Sequence, residues 1–180
     1  MKNLVILIFL LVSTTIISQE AKYQTYTARM EVIASKDGNE YKWENSNILV
    51  NLNYKTGDFK IELKNSDFYS TETNQQINSD NTEEEITYLI KGFLPIERII
   101  DQKTSTQDYT VELQLTNDDI NFSEVINFKM NVMRTSQQSG SYRVFSLVGT
   151  LYNDEINLPA FEGYDNEVGI RILFNAFWNG

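Results

Sequence analysis

The chain is 180 residues long, with 25 acidic and 15 basic side chains, no histidine and no cysteine. Imidazole metal sites, Ser-His-Asp triads, Cys-His dyads and disulfides are therefore excluded, and any catalysis would rest on carboxylates, Tyr or Lys. The net charge of −10 repels phosphate backbones and makes nucleic acid a poor partner.

The chain begins MKNLVILIFLLVSTTIISQE, with Lys2 ahead of an apolar run from Leu4 to Val12 and small or polar residues as far as Ser18. This predicts a secretory signal peptide over residues 1–18, cut after Ser18. The run is too short for the ~20 residues of a membrane-spanning helix. Export to the periplasm or medium follows, with a single domain over 19–180. Those 162 residues carry 14 basic and 25 acidic side chains, enough chain for one core. No later apolar run reaches membrane length, so no stable membrane span is expected.

From there, period-two alternation dominates and no segment holds a 3.6-residue period. Residues 26–34 read as a first strand. In NILVNLNY, Ile48, Val50, Leu52 and Tyr54 share one face while Asn47, Asn51 and Asn53 take the other. Lys55-Thr56-Gly57-Asp58 reads as a turn, and Phe59, Ile61 and Leu63 then alternate with Lys60, Glu62 and Lys64, completing a β-hairpin. Residues 65–85 form a long polar loop with room for one helical turn. Residues 85–92 read as a strand. FLPIERIIDQK (93–103) sets Ile96, Ile99 and Ile100 at near-helical spacing around Pro95, a short helical or irregular cover; an edge strand broken by Pro fits nearly as well.

Downstream, Tyr109, Val111, Leu113 and Leu115 alternate with Thr110, Glu112 and Gln114. Ile126, Phe128, Met130 and Val132 alternate with Asn127, Lys129 and Asn131. Ser139-Gly140-Ser141 marks a turn before a strand over 142–151. The last strand places Val168, Ile170, Ile172, Phe174, Ala176 and Trp178 on one face. Eight to nine antiparallel strands with short turns predict an all-β barrel or sandwich.

Two acidic motifs echo each other, NDDIN at 117–121 and NDEIN at 153–157. Neither has the ligand spacing or later bidentate Glu of a calcium loop, and Asn and Asp favour turns by bonding their own backbone. Both are read as turns, with at most adventitious Ca²⁺ and no metal site or cofactor. Glu62 and Glu112 fall on polar strand faces, and Glu83-Glu84-Glu85 lies in the polar loop, so a carboxylate hydrolase ranks low. An outer-membrane barrel also ranks low. Its outer faces would need apolar residues where this chain has Lys, Glu and Asn, and the chain ends in Asn179-Gly180 instead of an aromatic.

Three stretches carry a resemblance: NLNYKTGDFKIELKNSDF (51–68), YTVELQLTNDDINFSEVINFKMNV (109–132) and FSLVGTLYNDEINLPAFEGYDNEVGIRILFNAFW (145–178). In that order they resemble the early hairpin, the strand–turn–strand and the closing unit of the YceI-like family, over about residues 25–178. The family's His-Gly-Val-Thr turn is replaced here by residues 117–121, and its His-containing segment by TETNQQINSDNTEEE.

The resemblance implies an antiparallel eight-stranded lipocalin-like barrel holding an apolar lipid or isoprenoid, without catalysis. The residues alone fit a filled aromatic core slightly better; the resemblance favours a cavity instead. Its walls would then be Tyr54, Phe59, Ile61 and Phe68 from the early hairpin, with Tyr88 from the strand before the cover and Phe93 from the start of the cover. Tyr109, Val111, Leu113, Phe128 and Met130 would add the middle strands, and Ile170, Ile172 and Phe174 the last one. A polar head would sit at the mouth near Arg98, Lys103 or the 65–85 loop. The rival is a β-sandwich adhesion or protein-interaction module with a filled core and no ligand. The sequence leaves room for a homodimer.

Overall fold

The computed structural model describes residues 22–72, 86–137, 140–153, 161 and 163–178. The signal-peptide segment, residues 73–85 of the polar loop and the acidic part of NDEIN lie outside the described residues. Nine strands run β1 (Lys22–Lys36), β2 (Asn39–Asn53), β3 (Asp58–Lys64), β4 (Tyr69–Ser70), β5 (Thr87–Phe93), β6 (Thr106–Asn117), β7 (Phe122–Gln137), β8 (Gly140–Tyr152) and β9 (Glu167–Trp178). Among the described residues the helix α1 (Ile96–Ile100) joins β5 to β6, and a 3-10 turn covers Asn65–Asp67.

All pairings are antiparallel, and eight strands follow one another in chain order around a closed circuit. β1 pairs with β2 on one side and β9 on the other, which shuts the barrel. Two-residue β4 adds only to the rim of β2. Among the described residues, closure pairs each of the eight barrel strands on both sides, and it directs alternate residues of the strands into one shared interior. The sandwich alternative is thereby replaced by a barrel.

Alternation places Phe59, Ile61 and Leu63 of β3 inside, with Tyr109, Val111, Leu113 and Leu115 of β6. Ile126 to Val132 of β7 and Val168 to Ala176 of β9 follow the same rule. β2 breaks it. Ala28 pairs with Ile48 but Met30 with Asn45, so β2 carries an extra residue there, a β-bulge. Inward parity shifts from Trp43 and Asn45 to Ile48, Val50 and Leu52. The bulge closes locally where the Asn47 amide donates to Asn45 Oδ1 at 2.9 Å.

Asn side chains shape two more turns. The amides of Lys55 and Thr56 donate to Asn53 Oδ1 (2.9 and 3.3 Å), and Gly57 adopts φ +81°. NDDIN does the same: the amides of Asp119 and Ile120 donate to Asn117 Oδ1 at 2.8 and 3.1 Å, and Asn121 takes φ +51°. The first acidic motif is a turn.

α1 covers one end of the barrel, as the spacing of FLPIERIIDQK predicts, and buries Ile96 and Ile99. It is held by Leu94, whose amide donates to Gly57 O at 2.9 Å, and by Gln102, whose Nε2 donates to Val132 O at 3.1 Å. The approach at Gly57 is tight. A Cβ there would lie 2.4 Å from Leu94 O, whereas one on Gly38, also at positive φ, meets nothing within 4 Å. Strain alone costs about 1 kcal/mol at such a φ, and a backbone clash adds to it. Gly57→Ala is therefore expected to lower unfolding stability by about 3 kcal/mol and Gly38→Ala by about 1 kcal/mol in urea titrations. Equal losses would contradict the tethering of α1 through Gly57.

Candidate functional site

The interior is apolar along most of its length. Phe145 and Phe174 face each other as cross-strand partners of β8 and β9, stacked 4.6 Å apart with 4° between ring planes. Phe59, from non-adjacent β3, reaches across the lumen to Phe174 at 5.7 Å. Gly149 makes room for this packing, since a Cβ there would lie 2.8 Å from the Phe128 ring. The ring bridge has a clear consequence. A standing tunnel would leave its walls open to water, yet Ile61, Leu113, Phe128, Ile172 and Phe174 are completely buried. In this structure the middle of the barrel is packed shut.

Of the fourteen residues expected on the cavity wall, twelve are buried in one apolar cluster: Tyr54, Phe59, Ile61, Phe68, Tyr109, Val111, Leu113, Phe128, Met130, Ile170, Ile172 and Phe174. Tyr88 is half-buried against that cluster and meets Phe122 edge-on at 6.4 Å. Phe93 is the correction. It is 68% exposed, because Tyr88, Ile90 and Gly92 hold the inward positions of β5 and Phe93 has the opposite parity. It borders a shallow outer depression of about 550 Å³ with Lys91, Gln114 and Val125. Asp58 and Glu112 border it too, but both are exposed, unlike the desolvated acid that glycoside hydrolysis uses.

The far end, opposite α1, is lined by a second aromatic group. Trp43 packs edge-on against Phe161 (6.1 Å) and Tyr164 (5.7 Å). Arg98 and Lys103, expected near a polar head, are both exposed; the Arg98 guanidinium lies 5.3 Å from the centre of the Tyr109 ring. On the outer face, Arg171 and Glu31 form a cross-strand ion pair at 3.1 Å.

One inward residue escaped the sequence reading. Arg143 shares its face of β8 with Phe145 and Leu147 and is only 3% exposed. Its Nη2 donates to Ile100 O at 3.2 Å, at the end of α1, while Nε and Nη1 have no hydrogen-bond partner. Burial pulls its pKa below the usual arginine value; Arg134 pulls the same way, and Tyr54 and Tyr109 oppose it. The signal was present, since the parity of Phe145, Leu147 and Leu151 assigns Arg143 inward.

No family model matches the sequence, and no curated protein matches it. Solved structures do. A polyisoprenoid-binding domain from Saccharophagus degradans, implicated in plant cell wall breakdown, superposes with a TM-score of 0.62 at 10% identity, covering 87% of this chain and 98% of that one. BcnA of Burkholderia cenocepacia superposes with a TM-score of 0.52 at 13% identity, covering 83% and 96%. At such identities the likeness is one of fold: the chain has the closed eight-stranded antiparallel barrel that the sequence resemblance implies.

Two predictions test the packing. Phe174→Ala should cost about 3–5 kcal/mol of unfolding free energy and Phe93→Ala less than about 0.5 kcal/mol. Comparable losses would refute the inside–outside assignment. Burial also raises the Tyr88 phenol above its ordinary 10.0. The folded chain then keeps a proton that the unfolded chain releases, so this contribution is intact below pH 10.0 and fades as pH rises beyond it. Tyr88→Phe should flatten the alkaline fall of the urea midpoint; an unchanged slope would contradict this.

Proposed function

We propose that the protein is an exported, non-catalytic carrier that sequesters an apolar chain, isoprenoid or acyl, inside its barrel. The observation that carries this reading is the closed barrel with an apolar interior, a fold shared over 87% of the chain with a domain described as polyisoprenoid-binding. Export rests on the N-terminal signal pattern, which would deliver the barrel to the periplasm or medium.

The physical account requires the interior to open. An apolar chain has no polar group to orient it, so its binding scales with the area withdrawn from water, at about 0.8 kcal/mol per methylene. About ten methylenes supply roughly 8 kcal/mol, equivalent to micromolar affinity before any cost of reorganisation. That cost falls on the Phe59–Phe174–Phe145 bridge. Its rings would turn aside and pack along the ligand, exchanging ring–ring contacts for ring–chain contacts.

One observation favours a second reading. The same bridge and the fully buried walls suit a permanently filled core, and a partner would then meet the outer face, where Phe93, Val125, Val148 and Phe177 are exposed. Native mass spectrometry of the protein purified without detergent separates the two. A carrier shows a discrete excess mass that organic extraction removes, and the extracted chain restores it. A clean mass that prenyl and acyl lipids leave unchanged would overturn the carrier reading in favour of the packed module.

A further inference from the structure

We infer that Arg143 is the headgroup anchor of the barrel, and that the ligand it selects is a single-chain amphiphile ending in a carboxylate. The inference rests on the carrier reading and refines it. It begins from a charge that the fold leaves unanswered. Arg143 is 3% exposed on the inner face of β8, and two of its three guanidinium nitrogens, Nε and Nη1, donate to nothing. The third donates to Ile100 O. That contact caps a carbonyl at the end of α1 but, among the described residues, leaves the positive charge without a counter-ion.

Among the described residues, no carboxylate pairs with Arg143 in an ion pair, and the charged group that acts on it is a second arginine, Arg134. Burying a guanidinium without a partner anion is costly, and an apolar side chain of similar size could fill the same place. Purely structural needs at this position would be met by Leu or Met. A function that needs the charge is met by arginine, the cation least able to shed its proton.

Position selects the ligand. Arg143 lies at the α1 end of the interior, beside the strand positions of Phe145 and Leu147 that lead to the aromatic bridge. A head bound there directs its tail along the barrel toward Trp43 and Phe68 at the opposite end. Charge balance selects the head. One buried positive charge neutralises one negative charge, so a carboxylate fits where a diphosphate would bring surplus negative charge into the interior. The mouth position expected from sequence, near Arg98 and Lys103, offers only exposed cations.

The test compares dodecanoate with dodecanol, chains of equal length that differ in the head, by isothermal titration of the full-length protein. A charge-assisted bond to a buried partner predicts that wild type binds dodecanoate roughly tenfold or more tightly than dodecanol. Arg143→Met should bring the two affinities to within about threefold, and Arg143→Lys should restore part of the preference. Equal affinities in wild type would overturn the proposal while leaving the carrier reading in place, because both chains bind. A preference that survives Arg143→Met would also overturn it, placing the anchor elsewhere. Failure of both chains to bind would overturn the carrier reading and this proposal together. The wild-type comparison decides the matter even if a variant fails to fold.

Discussion

Closure of the sheet through β1 is the constraint on which the rest depends. Because β1 pairs with both β2 and β9, eight strands share one interior, and the inward half of each strand must fill or line the same small volume. The barrel meets this demand with aromatic rings. Phe59 spans from β3 to the stacked Phe145–Phe174 pair on the opposite wall, and Gly149 leaves the space that Ile126 and the Phe128 ring occupy. Stability and any capacity for ligand are thus functions of the same rings. On the carrier reading, a tail would enter by displacing contacts that now hold the fold together.

The two ends of the barrel differ in character. α1 closes one end with Ile96 and Ile99 and is tethered through Gly57, whose carbonyl accepts from the Leu94 amide, and through Gln102, whose side-chain Nε2 donates to Val132 O on β7. The cluster of Trp43, Phe161 and Tyr164 lines the other, with Lys36 lying 5.5 Å from the centre of the Tyr164 ring. Arg143, the buried cation, sits at the α1 end, while the polar groups buried toward the other end, Asn45 and Asn117, are neutral. On the carrier reading, this difference in charge would give an anionic amphiphile a preferred direction.

Much of this architecture was legible in the sequence because period-two alternation maps directly onto inside and outside. β3, β7, most of β6 and β9 as far as Ala176 show it, and their inward residues are those that alternation assigned; β6 departs at its end, where Leu115, Thr116 and Asn117 are all buried, and the Trp178 side chain lies outside the described residues. The failures are equally physical. β2 hides its first half because the bulge at Asn45 shifts parity within the strand, so Trp43 and Ile48 point inward from positions five apart. Phe93 was grouped with Tyr88 by chemistry although their parities differ; the pleat, and not hydrophobicity, decided its side. Arg143 went unnoticed because a cation on an apolar face runs against the burial rule, which is also what makes it informative. The packed state of the middle could not be read at all. It depends on whether Phe59 reaches Phe174 across the lumen, a contact between residues 115 positions apart whose geometry no local pattern encodes.

The central claim is that this ring bridge yields to an apolar chain. The most direct measurement is a crystal structure of the protein grown with a fatty chain brominated at its tail, with the bromine located by anomalous scattering. The account predicts bromine enclosed in the barrel beside Phe59, Phe145 and Phe174, with those rings turned from the stacked arrangement. Bromine found only on the outer face, with Phe145 and Phe174 still stacked and Phe59 still against them, would contradict it.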